Sequence, residues 1–158
     1  MIELAKILRE NELLIGDLYG ECSRLFPDYS EKFRNLQLSE QGHAFLLEKI
    51  LDDMRLNPNN WQPGKLSLKT AQLINDCIKQ ALKEIKEDKV APRYALTFAK
   101  SIELSLSEKE FSKIFITNDT EFKKALSELE NGFKQHFADL LNIEDEVFGN
   151  RSEFDFVF

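Results

Sequence analysis

Three long stretches of this chain place their inward residues at alternating intervals of four and three, and that spacing governs what the chain can fold into. The first, about residues 2 to 26, carries Leu4, Leu8, Asn11, Ile15, Leu18, Cys22 and Leu25. The second, about 29 to 54, carries Tyr29, Phe33, Leu36, Glu40, His43, Leu47, Ile50 and Met54. Another, reaching about Asn142, carries Phe122, Leu126, Leu129, Phe133, His136, Leu140 and Ile143. A heptad-like seam suits helices that cross at about 20° in a bundle. Six glycines and four prolines in 158 residues leave few places to break a helix. The expected fold class is therefore all-α.

Punctuation along the chain sets the connections. Pro27 ends the first helix, and Asp28 with Glu31 has the spacing of a capping box for the second. Residues 55 to 64, RLNPNNWQPG, are dense in turn formers. Residues 67 to 88 are amphipathic, with Leu68, Ala71, Ile74, Ile78, Ala81, Leu82 and Ile85 apolar. The next helix starts near Pro92, a residue suited to a first turn, and reaches about Phe115. Asn118 with Glu121 is the expected cap of the last helix. Two of the links between long helices are short, which forces antiparallel neighbours, and the third is long enough to cross the bundle with its own helix. The expected architecture is two helical hairpins joined by a crossover helix, over residues 1 to 142. Residues 143 to 158, acidic and Phe-rich, read as a tail lying on the bundle, with FDFVF a candidate homodimer contact.

Composition excludes several functions. A formal charge of −7 argues against nucleic acid, because phosphate binding wants clustered Lys and Arg. No apolar run approaches the roughly 20 residues that span a bilayer. The amphipathic start, MIELAK, lacks a secretory pattern, so a cytoplasmic location is expected. Two cysteines make no disulfide framework, and Cys22 on an apolar face reads as a buried thiol. Nucleophilic triads, P-loops and Gly-rich nucleotide fingerprints are absent, which narrows the chemistry to metal work or none.

The second hairpin repeats the first. Ninety-three residues beyond the second helix, Phe33 becomes Leu126, Leu36 becomes Leu129, Glu40 becomes Phe133, His43 becomes His136 and Leu47 becomes Leu140. With an offset of 91, Leu8 maps to Ala99, Glu12 to Glu103 and Ile15 to Leu106. Both histidines of the chain thus occupy the same place in their halves. Glu40 and His43, at i and i+3, share one helix face within an otherwise apolar seam. A carboxylate buried alone is costly unless neutralised, paired or metal-bound. Glu12, Glu40, His43, Glu103 and His136 meeting in one layer make the arrangement of a carboxylate metal site, in which acids offset cation charge and imidazoles give neutral nitrogens. A hydrogen-bonded Glu–His cluster without metal is the alternative.

At these residues the chain resembles the ferritin-like superfamily, nearest its rubrerythrin-type members, whose motif has a Glu on the first and third bundle helices and Glu-x-x-His on the second and fourth. Glu12, Glu40, His43, Glu103 and His136 match that motif, and Tyr19 matches a tyrosine often found beside the site. The resemblance covers most of residues 1 to 142. It implies a ferritin-like four-helix bundle that binds iron or another divalent metal, one or two ions, and reacts with dioxygen or peroxide in oxidative-stress defence or iron handling. The departures are specific. Phe133 stands where the fourth helix should offer its glutamate, Leu106 replaces a further third-helix carboxylate, and the rubredoxin module with its Cys-x-x-Cys pairs is absent. Glu130 and Glu110 lie one and two turns from motif positions and read as solvated or interhelical charges. The competing expectation is a degenerate relative that kept the bundle as a binding or structural module and lost the chemistry.

Overall fold

The computed structural model describes residues 1–107 and 113–149. Five helices dominate it: α1 (Ile2–Leu25), α2 (Ser30–Leu56), α3 (Leu68–Lys86), α4 (Pro92–Ser107) and α5 (Thr120–Phe148). The all-α expectation holds, with one small addition. Strands β1 (Trp61–Pro63) and β2 (Phe115–Thr117) pair antiparallel, with Trp61 opposite Thr117 and Pro63 opposite Phe115.

The direction of each helix follows from which residues it meets. From α1 to α2, Arg9 pairs with Glu48, Glu12 with His43 and Ser23 with Ser30, so the two run antiparallel. Between α2 and α5, Lys32 pairs with Glu146 and Glu40 with His136; between α4 and α5, Lys100 pairs with Glu144 and Glu103 with His136. Both pairs are therefore antiparallel, which makes α2 and α4 parallel. Parallel neighbours need a crossover, and α3 supplies it by running back beside α1: Asn11 meets Asn75, and Arg24 meets Asp88. The structure is thus two antiparallel hairpins with α3 between them in sequence.

The inward seams are the core. Leu8, Ile15, Leu18 and Cys22 of α1, Phe33, Leu47 and Ile50 of α2, and Leu126, Leu129, Phe133 and Leu140 of α5 are all buried, whereas Cys77 is exposed. Polar residues interrupt that core in two places. Between α1 and α3, the Asn75 amide donates to Asn11 Oδ1 at 2.9 Å, which fixes the register of the crossover helix. The second interruption is the Glu–His layer described below.

Several sequence expectations are corrected. Asp28 forms no capping box: Tyr29 is the residue before α2 and no side chain caps that end, because Pro27–Tyr29 close a 3-10 turn instead. At the start of α5 the cap is Asp119 rather than Asn118, its carboxylate accepting the backbone N–H of Glu121 at 2.8 Å and of Phe122 at 3.3 Å. The helix expected from 92 to 115 is described only to Ser107. Phe115 belongs to β2, where Phe-Ile-Thr, a β-favouring triplet, finds a partner in β1. The 55–64 segment accordingly holds a strand, and Trp61 in it is buried, donating its indole N–H to Asp53 at 2.7 Å. Leu68, expected on the apolar face of the crossover helix, is 46% exposed. Finally, α5 runs past the expected Asn142 to Phe148, because tertiary contacts hold its last turns. Phe148 packs edge-on to Phe26 and under the Arg93 guanidinium, while Glu146 pairs with Lys32. FDFVF and Glu110 lie outside the described residues. No helix among the described residues is long and apolar enough to cross a membrane.

Candidate metal centre

Four helices each bring one acid or one imidazole to a single layer, and α2 brings both. Glu12 comes from α1, Glu40 and His43 from α2, Glu103 from α4 and His136 from α5. The three carboxylates are 1% exposed or less. Helical spacing accounts for this: Glu40 occupies a seam position of α2, and Glu12 lies one residue from the α1 seam on the inward stripe of Leu8, Ile15 and Tyr19.

Glu40 lies between the two imidazoles. Its Oε2 is 3.0 Å from His43 Nδ1 and its Oε1 is 2.6 Å from His136 Nδ1. Glu12 Oε2 reaches His43 Nδ1 at 3.2 Å, and Glu103 Oε1 stands 3.5 Å from His136 Nδ1. The Tyr19 hydroxyl donates to Glu103 Oε1. The imidazoles stack with centroids 5.1 Å apart. Thus all five residues singled out by the sequence share one cluster, and Tyr19 is a buried aromatic with its hydroxyl satisfied.

Hydrogen bonding leaves this cluster incomplete. Glu12 Oε1, Glu40 Oε1, Glu103 Oε2 and His136 Nδ1 are buried without a hydrogen-bond partner. Glu40 Oε1 and His136 Nδ1 are nevertheless an ion pair at 2.6 Å. Donor atoms packed this closely can be served by protons or by a shared cation. Glu40, His43 and His136 each offer a ligand atom, and these atoms lie within 4.8 Å of one another. A carboxylate oxygen and two imidazole nitrogens fit the donor preferences of zinc, iron and related divalent ions. Glu40, His43 and His136 could hold a metal ion; Glu12 and Glu103 flank the three, one against each imidazole.

Burial and neighbouring charge push the ionisable groups of this layer in different directions. Burial raises Glu12 well above the usual carboxylate range, and the neighbouring Glu40 charge adds to it. Burial likewise lifts Glu103 to about 7, with Glu40 pushing the same way. Burial also presses upward on Glu40, but the bonds and charge of His136 and His43 together outweigh it and hold that carboxyl at about 2. For the imidazoles burial acts downward, yet bonds to Glu12 and Glu40 lift His43 to about 9, and bonds to Glu103 and Glu40 lift His136 to about 10. The two imidazoles are thus biased toward their charged form and Glu40 toward its ionised form, while Glu12 and Glu103 are biased toward the neutral carboxyl.

Phe133 is fully buried and meets His43 edge to face at 5.5 Å. Its ring fills the position of an expected fourth-helix glutamate, so α5 gives this layer one nitrogen and no carboxylate. Glu130, considered as a substitute, pairs with Lys134 at 2.8 Å. Leu106 is buried core.

Two residues that sequence reasoning passed over complete the surroundings. The Ser39 hydroxyl lies 2.9 Å from His136 Nε2. Gly132 leaves room for His43: a Cβ there would stand 2.3 Å from Nε2 and 2.5 Å from Cε1 of that ring. An isolated glycine inside a strong helical pattern was the available signal for the second. Beside the cluster, a cleft of about 650 Å³ opens between α2 and α5, and Ser39 and His136 are among its walls. Comparison of the chain with protein-family models, curated proteins and solved structures gave no match in any of the three.

Proposed function

We propose that this chain is a ferritin-like metal protein of the rubrerythrin type, binding one divalent ion, iron or another, through Glu40, His43 and His136. Glu12 and Glu103 sit beside the imidazoles as further oxygen donors or as charge balance. The observation that carries the reading is the convergence of three buried ligand atoms within 4.8 Å, with carboxylate oxygens beside them left unpartnered. Three buried carboxylates are unstable neighbours unless protons or cations offset them. The order of helices, two hairpins and a crossover, is the layout that ferritin-like bundles use. With iron bound, the centre would supply redox chemistry toward dioxygen or peroxide, the protein setting its ligands and access.

Phe133 decides the number of ions. A second metal needs another bridging carboxylate, and a phenyl ring occupies that place, so we expect one ion per chain. The same ring favours the second reading, a bundle whose metal chemistry is lost and whose remaining acids and imidazoles only pair with one another. Thermal unfolding with and without added Zn²⁺, Fe²⁺ or Mn²⁺ separates the two. One of these ions, at about 100 times its Kd, should stabilise the native protein by about 2.7 kcal/mol. That gain should vanish in Glu40→Ala and in His43→Ala. Identical melting of the native protein with and without all three ions would favour the metal-free reading.

A further inference from the structure

Resting on the metal reading above, we propose that Ser39 is a positioning residue: its hydroxyl holds the Nε2–H of His136, so that Nδ1 is the nitrogen left for the ion. The argument is geometric. His136 Nδ1 faces Glu40 Oε1 at 2.6 Å and Glu103 Oε1 at 3.5 Å, the interior of the cluster. Its Nε2 faces away, toward Ser39 Oγ at 2.9 Å. An imidazole binds a metal through one lone pair and must then carry its remaining proton on the other nitrogen. Only Nδ1 points at the acids, so the proton belongs on Nε2, and Ser39 is the acceptor placed to keep it there. The ring has little freedom to choose otherwise, being stacked on His43 and flanked edge-on by Tyr19.

Chain position strengthens the assignment. Ser39, Glu40 and His43 occupy a single turn of α2, so one rigid segment carries two ligands and the group that orients the third. Ser39 is also half-buried at the wall of the α2/α5 cleft, where His136 is its neighbour and Asn35 and Asp139 line the approach. Water in that cleft would meet the Ser39–His136 bond before anything else in the cluster. The bond is thus both the orienting contact and the cover over the Nε2 proton.

The test uses the full chain and Zn²⁺ as probe, with two readouts. Ser39→Ala should weaken Zn²⁺ binding about tenfold, the low end of what orienting partners contribute, and Ser39→Thr should restore it. Ser39→Val, which bars a cleft water from replacing the hydroxyl, should weaken binding further. In metal-free protein, ¹⁵N-edited spectra should show the His136 Nε2–H exchanging with solvent faster in Ser39→Ala than in the native chain. Unchanged exchange in that variant overturns the proposal, as does unchanged Zn²⁺ affinity in both Ala and Val variants. If the native protein binds no Zn²⁺, the metal reading fails, and the exchange comparison still decides what Ser39 does.

Discussion

Of the four glycines inside helices, substituting Gly42 and Gly132 by alanine isolates the packing of the centre from everything else. Gly42 in α2 has nothing within 4 Å of where its Cβ would be. A Cβ on Gly132 in α5 would stand 2.3 Å from His43 Nε2. In a helix interior, Gly→Ala gains about 0.5–1 kcal/mol from propensity, so Gly42→Ala should be stabilising by about that much. At Gly132 the same gain meets a collision. Carbon contacts relax only at about 3.5 Å or beyond, so the ring must retreat by about 1 Å. His43 Nδ1 is held at 3.0 Å from Glu40 and 3.2 Å from Glu12, and the ring is packed against Phe133 and His136, so retreat strains or breaks one of those bonds. A hydrogen bond to a charged group contributes about 1.5–3 kcal/mol. After the helix gain, Gly132→Ala should be less stable than the native protein by about 1 kcal/mol, which puts the two variants about 2 kcal/mol apart. Urea denaturation measures the difference, and a Zn²⁺ titration should show weaker binding in Gly132→Ala alone. Equal stabilisation of both variants, with unaltered metal binding, would refute the argument that His43 is locked where the structure has it.

The imidazoles also set a pH dependence. Both are raised above the ordinary histidine value, so their contribution to the metal-free protein is fully present below about pH 6.5. It is lost as pH rises through about 9 for His43 and about 10 for His136. Metal-free protein should therefore melt progressively lower between pH 7 and 10 in a series of thermal scans, whereas His43→Gln should flatten part of that decline. Ligation needs deprotonated groups, so metal binding at neutral pH should release protons, which calorimetry in buffers of different ionisation enthalpy would count. Phe133→Glu should restore the missing fourth-helix carboxylate. Metal-free, it should be destabilised by several kcal/mol for burying another acid, and elemental analysis after loading should rise from one ion per chain toward two. A variant that folds, stays at one ion and gains nothing from metal would count against the ferritin-like layout.

Much of this was legible because helices write their inward faces in the sequence at a regular period. The seams of α1, α2 and α5 predicted the buried positions, and the matched placing of His43 and His136 predicted that the two halves meet in one layer. What the period cannot carry is contact made by the end of an element. The last turns of α5 read as tail because IEDEVF has few inward apolar residues; Phe26, Arg93 and Lys32, distant in sequence, hold them. The β1–β2 clip was invisible for the same reason, since three-residue strands have no pattern of their own and exist through their pairing. Capping departed from expectation at both predicted starts, with no side-chain cap on α2 and a shift of one residue, to Asp119, on α5, because local turn geometry decides which side chain, if any, reaches the free N–H groups. Within the centre, the ligand types were readable but their supports were not. Ser39 looks like any half-buried serine until α5 lies against it, and Gly132 looks like a weak point until the His43 ring fills the space.

The measurement closest to the central claim is anomalous diffraction at the zinc or iron edge from crystals of the loaded protein. This account predicts one peak per chain among α1, α2, α4 and α5, about 2.0–2.2 Å from a carboxylate oxygen of Glu40 and from a ring nitrogen each of His43 and His136. A folded, metal-soaked protein with no peak in that layer, or with ions bound only at surface carboxylates, would contradict it.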